Sequence, residues 1–376
     1  MKPKFKYLTF LVVSLFLCFT NCSSDDVANE ENNSNEVKSL FMKISNGDVA
    51  TYGTGPTVVD NSDVDFSDGI IYFVNSDGMI LKHYTLTDNV NSLTNINLSD
   101  IQDGTTIENL PGSVSSVYVV GNYAGSPSLA TSGNITAVTN RILTVTSQHD
   151  IENVNLYGTN TIVAVDPLEL NKYTCTINLR PTVARIELTD ITASGVITSF
   201  KVDGIFIDNY YSQATINSTL NIANLQDNGV APADFIGGST VYPVSLTPAI
   251  YDYYTSPLES VSNVVALTDD DVWRYSLFAT TTGSEIPRII IRLSDIETTP
   301  ESNISITGTR FITIRGFRNG STSLSGIKSG EIYNIGAGDL VFDESNLAIT
   351  PNEAKIEVEV TVTLAKWKVI PITPEL

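Results

Sequence analysis

The sequence predicts an all-β protein built from two β-sandwich domains. Three observations lead there. Short runs rich in Val, Ile, Thr, Tyr and Phe recur along the chain, among them "GIIYFVNSDGMILKHYTL", "VSSVYVVGNY" and "ITSFKVDGIFID". Clusters of Gly, Asn, Asp and Ser separate these runs, the pattern of short strands joined by turns. Apolar spacing near 3.6 is hard to find over any useful length, which leaves little room for helices. The 376 residues suffice for about two domains.

The elements follow in chain order. Lys2, Lys4 and Lys6 precede an apolar run, Leu8 to Phe19, that is too short to span a bilayer as a helix. It reads as a signal peptide over residues 1–21. The cysteine in "FTNCSSDD" marks a bacterial lipoprotein junction, and Cys22 is the expected lipidated residue; Cys18 follows Phe16-Leu17 and fits worse. Several acyl chains on one cysteine, each buried CH₂ contributing about 0.8 kcal/mol, give lasting membrane attachment. The acidic "CSSDD" resembles the surface-export signal of Bacteroidetes lipoproteins. Residues 22–36 are polar and acidic, a flexible tether.

An N-terminal sandwich is expected over residues 37–222. It opens with Val37 to Ser45, where Leu40, Met42 and Ile44 share one face. "YFVNSDGMIL" reads as a hairpin in which Asp77-Gly78 supplies the φ > 0 residues of the turn. "DIQDGTTIENLPG" allows a short helix. The turn-rich "NLQDNGVAPADFIGGS" sets a domain boundary near residue 223, and a C-terminal sandwich follows over 223–376. At the chain end Ile356, Val358, Val360, Val362 and Leu364 alternate with polar residues, and then the phase slips. Trp367 and Val369 fall on odd positions, with Ala365-Lys366 at the change. Two strands, or one strand with a bulge or bend, account for that slip.

Composition narrows the function. Forty-two acidic residues against 21 basic ones give a formal charge of −21. Such a chain repels nucleic acid and anionic headgroups, so no nucleic-acid partner is expected. With Cys18 in the signal and Cys22 acylated, Cys175 has no partner for a disulfide and reads as a small core residue. His83 and His149 stand in unrelated contexts, too little for a metal site or a nucleophile–histidine pair. No phosphate loop, zincin motif or nucleophile elbow is present. "DNSDVDFSDG", Asp60 to Gly69, misses calcium-loop spacing and reads as a solvated loop, as does Asp269-Asp270-Asp271. Tyr251, Tyr253 and Tyr254 form a possible sugar-stacking cluster but read first as half-buried strand residues. No catalytic, metal or cofactor-binding residue is assigned, and no enzyme is expected.

A resemblance then enters. The lipoprotein start, "LRPTVARIELTDI" with Arg180, Arg185 and Ile186, and "FKVDGIFIDNYY" resemble the N-terminal domain of Bacteroidetes fimbrillins, the type V pilus subunits. "WRYSLFATTTGSEIPRIIIRL", "GEIYNIGAGDLVFDESNL" and "VEVTVTLAKWKVIPITPEL" resemble their C-terminal domain. The resemblance covers nearly the whole chain from Val37. It implies two tandem transthyretin-like Greek-key sandwiches and a lipid-anchored precursor at the outer-membrane surface. It also implies a maturation protease that removes the lipidated N-terminus with the first strand (37–45: Leu40, Met42, Ile44). The C-terminal strand of a neighbouring subunit, about 356–376, then fills the groove. Partners would be other fimbrial subunits, outer-membrane lipid, the protease, and host or bacterial surface receptors reached in adhesion.

The ribbon has the chemistry for this. Ile356, Val358, Val360, Val362, Leu364, Trp367 and Val369 each gain about 1.5–3 kcal/mol on full burial, on the order of 10 kcal/mol together after discounting. Ile356–Leu364 either completes its own sandwich or is donated; for Trp367–Ile372 donation is the favoured reading. One departure stands out. The loop after the first strand holds no Arg or Lys, Lys43 is the nearest basic residue, and the first arginine is Arg141. Either another protease acts, with Lys43 as the candidate site, or the strand stays and the chain is a lipid-anchored anchor or accessory subunit. A monomeric glycan-binding lipoprotein using Tyr251 and Tyr253 is the alternative of another class.

Overall fold

The structure is a computed structural model describing residues 37–45, 64–87, 94–150, 154–169, 171–220, 225–226, 250–268, 271–280, 282, 285–351, 356–364 and 367–369. The all-β expectation holds, with α-helix confined to Leu98–Asp103 and Thr136–Thr139 among the described residues.

The N-terminal half is two facing sheets. The first runs β11 (Val163–Ala164), β12 (Lys172–Asn178), β1 (Val37–Ser45), β6 (Thr105–Pro111). The second runs β13 (Arg180–Pro181), β10 (Leu156–Thr161), β7 (Val114–Gly121), β3 (Gly69–Asn75), β4 (Met79–Leu86), β5 (Asn95–Ile96), with β8 (Gly133–Asn134) against β4. Leu40, Met42, Ile44 and Ile177 from one sheet and Ile71, Phe73, Val117 and Val119 from the other are all fully buried. The sheets press together at one edge. A Cβ added to Gly158 on β10 would come within 2.7 Å of the Asn178 carbonyl oxygen, so only glycine fits.

The C-terminal half is also layered. One layer runs β22 (Trp273–Phe278), β14 (Val183–Leu188), β26 (Glu331–Ile335), β29 (Thr361–Leu364). Beyond Thr189 its ladder resumes as β21 (Val264–Ala266), β15 (Asp190–Ala193), β27 (Val341–Phe342). The other layer runs β20 (Ile250–Glu259), β16 (Ile197–Asp208), β23 (Arg288–Thr298), β24 (Arg310–Asn319), β25 (Thr322–Ser323), with β28 (Ile356–Glu359) also on β24. Phe200 on β16 meets Phe342 on β27 edge to face, centroids 5.1 Å apart, which joins the layers. β14 is buried at every residue, so Arg185 lies inside; its charge is met by Glu187, Nε to Oε1 2.9 Å. Three short pairs complete the set: β17 (Tyr210–Tyr211) with β19 (Leu225–Gln226), β18 (Gln213–Thr215) with β9 (Ile142–Thr144), and β2 (Val64–Phe66) with β30 (Trp367–Val369).

Several details differ from the sequence reading. β14 to β16 bond to strands from Ile250 onward, while β18 turns back to pair with β9; the expected boundary at 222/223 lies outside the described residues. In the β3–β4 hairpin only Gly78 takes positive φ (78°); Asn75 Oδ1 accepts from Asp77 N (3.1 Å) and Met79 N (2.8 Å) and closes the turn. The proposed helix stops at Gly104, φ 107°, and the rest of "DIQDGTTIENLPG" becomes β6.

Candidate functional site

The first strand is inserted between two others. β1 pairs in parallel with β12, Ser39↔Lys172 through Ser45↔Asn178, and antiparallel with β6 from Val37↔Pro111 to Met42↔Thr105. Both edges are therefore hydrogen-bonded over most of its length. Alternation puts Leu40, Met42 and Ile44 inside at 0% exposure, as the sequence predicts, and Phe41 and Lys43 outside. Full burial of those three contributes roughly 5–9 kcal/mol as an upper estimate.

Polar ties fix the ends. Lys38 Nζ donates to the Val114 carbonyl at 2.7 Å and lies 4.4 Å from the Tyr173 ring centroid; burial lowers its pKa. Ser39 Oγ donates to Glu108 (3.0 Å) and Ser45 Oγ to Asn178 Oδ1 (2.9 Å). On the floor, Met42 pairs with Cys175, which is 3% exposed and whose thiol burial pushes up to about 11. Cys175 is thus the core residue the sequence predicts, and it lies directly beside the first strand.

Lys43, the candidate processing residue, presents an exposed side chain, but its backbone is paired with Thr176. A protease that binds extended backbone meets a strand already engaged there. Cys22 and the loop 46–63 lie outside the described residues, as do Asp60, Asp269 and Asp270.

The tail makes three turns at pairing. β28 joins β24 in parallel, the Val360 amide bonds the Arg318 carbonyl (2.8 Å), and β29 joins β26 antiparallel. Val358 and Val360 are 1% exposed, and Val362 is half-buried. Ile356–Leu364 therefore completes its own sandwich, one of the two outcomes left open. The side chains of Ile356, Leu364, Trp367 and Val369 lie outside the described residues. The predicted slip at Ala365-Lys366 separates β29 from β30. A second break, at Val360, escapes the alternation pattern because the strand changes sheets without changing phase.

β30 then reaches the N-terminal half and pairs in parallel with β2, Val64↔Trp367, Asp65↔Lys368 and Phe66↔Val369. The donated-tail reading for residues 367–369 thus meets a chain whose own β2 holds them. β2 itself was missed: its acidic surroundings suggested a solvated loop, yet Val64 and Phe66 are 2% and 0% exposed. The V-D-F alternation was the signal. Asn122 secures this strand, its Nδ2 donating to the Asp65 and Val154 carbonyls (3.0 Å for the latter) and its Oδ1 accepting from Ser67 N (3.1 Å). A buried amide pair, Gln148 and Asn155, holds Asn122 in turn, through Gln148 Nε2 to Asn155 Oδ1 (2.7 Å) and Asn155 Nδ2 to the Asn122 carbonyl (2.8 Å).

The remaining candidates scatter. His83 is on β4 and His149 follows the turn Val145–Gln148. Tyr251 is 40% exposed on β20; Tyr254 accepts a 2.6 Å bond from the Trp273 indole, and the Tyr275 hydroxyl donates to Asp252 (2.6 Å). Those two bonds belong to the packing between β20 and β22. Among the described residues no three His, Cys, Asp or Glu side chains are placed to hold a metal ion.

No protein-family model and no curated protein matches the sequence. Solved structures do match. A candidate cell adhesion protein from Parabacteroides distasonis aligns with a TM-score of 0.52 at 13% identity, covering 90% of this chain and 98% of that one. A fimbrillin from Porphyromonas gingivalis aligns with a TM-score of 0.50 at 12% identity, covering 89% and 98%. The chain has the fimbrillin fold. That fold extends over nearly the whole length of both relatives, so the sandwich pair is shared and not a single lobe.

Proposed function

We propose that the chain is a structural subunit of a cell-surface fimbrium that assembles by strand exchange and supports adhesion. The observation that carries this reading is the place of β1. It is the first described strand, it is bonded along both edges to β12 and β6, and it fills a slot with Leu40, Met42 and Ile44. Removing it leaves two bare strand edges and an apolar channel, a state that is costly until another strand enters. An apolar β-segment from a second copy meets both needs, main-chain bonds setting register and alternate side chains filling the channel. In this reading Cys22 is acylated, the precursor sits on the outer-membrane surface, and proteolysis releases β1.

The test is an engineered protease site in the loop 46–63. Before cutting, the chain should be monomeric and Cys175 should resist alkylation at pH 8. After cutting, polymers should form, Cys175 alkylation should accelerate at least about tenfold while the channel is open, and deletion of Trp367–Leu376 should stop growth. A cut chain that keeps its tail, stays monomeric and still protects Cys175 overturns the proposal.

A second reading has its own support. No Lys or Arg lies between Lys43 and Lys82, and Lys43 is locked in β1. A chain without an accessible basic cleavage site keeps both β1 and its lipid, and it serves as the membrane-end anchor of a fimbrium. Recovery of the surface protein with acylated Cys22 as its first residue selects the anchor; a start beyond residue 45 selects the stalk subunit.

A further inference from the structure

We propose that the outer face of the first sheet, at the end where β1 begins, rests on the lipid bilayer through Phe41, Val163, Val165 and Leu168. This rests on the reading above that Cys22 carries lipid. The argument starts from the two faces of β1. Leu40, Met42 and Ile44 point inward, so alternation turns Phe41 outward, and it is 46% exposed. Paired residues on neighbouring strands share a face. Phe41 pairs with Thr174 on β12, and Thr174 pairs with Val163 on β11. One row nearer the start of β1, Ser39 pairs with Lys172, and the Val165 amide donates to the Lys172 carbonyl (3.0 Å). Val163 and Val165 join the same face, 59% and 56% exposed. The link between β11 and β12 ends this face in a tip. There the Leu168 amide donates to Asp166 Oδ1 (2.8 Å) and the Glu169 amide to the Asp166 carbonyl (3.0 Å). That closed turn holds Leu168 out in solvent at 89% exposure. Val37, also exposed, starts β1 at the same end. Five large apolar side chains thus lie open together, and such a grouping marks an interaction surface.

What covers them follows from the chain before Val37. Residues 22–36 separate it from Cys22, and fully extended they reach no more than about 50 Å. Whatever path they take, this end of the sandwich stays within that distance of a bilayer holding Cys22. A link this short gives an effective concentration on the order of millimolar, so a contact too weak to form in solution forms once the chain is anchored. A second copy suits the face less well. A stable dimer buries about 800 Å² per partner, roughly 20–30 residues a side, and this face offers far fewer apolar side chains. Charge points to the kind of lipid. Lys43 and Lys172 nearly offset Glu108, Asp166 and Glu169, with Lys172 paired to Glu169 at 3.3 Å. The whole chain carries −21. Neutral headgroups fit this balance, whereas anionic ones repel the chain.

The experiment uses the chain from Cys22 onward carrying Cys175→Ser, joined through the Cys22 thiol to a maleimide phospholipid in phosphatidylcholine vesicles. Brominated acyl chains in the same vesicles quench any indole that reaches them. The emission added by Leu168→Trp should fall by at least about half, as expected for a side chain seated in the interface. The emission added by Ile349→Trp, at an exposed position of the C-terminal half, should stay unchanged. Val163→Ser and Val165→Ser, introduced together with Leu168→Trp, should weaken the quenching at least about twofold. Quenching no greater for Leu168→Trp than for Ile349→Trp overturns the proposal. A dimer of the unanchored chain that Val163→Ser with Val165→Ser dissolves also overturns it, because the face then belongs to a second copy. Cys22 recovered from the cell surface without acyl chains overturns the anchored reading, and docking in the cell fails with it whatever the vesicles show.

Discussion

β1 and β30 lie near opposite ends of the chain, and both bond to the N-terminal half. β1 is nine residues long, paired on two edges, with three side chains fully buried. β30 is three residues long and pairs with β2 among the described residues. Ordering a residue costs about 1–2 kcal/mol and a net hydrogen bond contributes about 0.5–1.5 kcal/mol. Backbone pairing alone therefore comes close to balance, and in β1 the burial of Leu40, Met42 and Ile44 adds to it. The lesson is a division of labour. β1 is held by pairing on two edges and by buried side chains, while the described part of β30 is held by three residues of pairing with β2.

Three measurements test that contrast. The largest effect is expected from Leu40→Ala, which empties a site with no solvent exposure and should cost about 2–5 kcal/mol in urea unfolding. A cost below about 1 kcal/mol would mean that β1 is not part of the core. Next comes Asn122→Gly, which keeps the backbone freedom needed at φ 55° but removes the bonds to Asp65, Ser67 and Val154. It should cost about 1–3 kcal/mol and loosen β2, read as faster amide exchange at Val64 and Phe66. Truncation after Leu364 should matter least, about 1 kcal/mol or less, because the anchored half of the tail remains. A loss above about 3 kcal/mol would make β30 as structural as β1.

Cys175 adds a pH signature to the same contrast. Its thiol is held protonated by burial, up to about 11 from an ordinary value of 9.0. The folded state therefore favours the proton, and this contribution is fully present below pH 9. It is lost as pH rises toward 11, because the unfolded thiol ionises first. With the channel open the thiol returns toward its ordinary value, so the alkylation rate should respond to pH at a lower value than in the intact chain.

Much of this was legible from periodicity. Leu40, Met42 and Ile44 alternate, and they face the core; "DG" in a strand-rich run marks a turn, and Gly78 makes one. Alternation reports which side of a strand is dry. It does not name the neighbouring strand. The tail shows the limit: Val358 and Val360 keep one phase while the chain passes from β24 in one layer toward β26 in the other. β14 shows it again, since its apolar residues do not say that it bonds to β22 and β26.

By itself the sequence determined the all-β class, the buried face of β1, the inward place of Val358 and Val360, and the core place of Cys175, because these depend on residue type and a two-residue period. Tertiary structure alone decided the parallel pairing of β1 with β12, the seat of β30 on β2, and the clamp at Asn122. Each joins residues distant along the chain, Ser45 with Asn178 or Val64 with Trp367, through backbone groups that are the same in every residue and so carry no mark in the sequence.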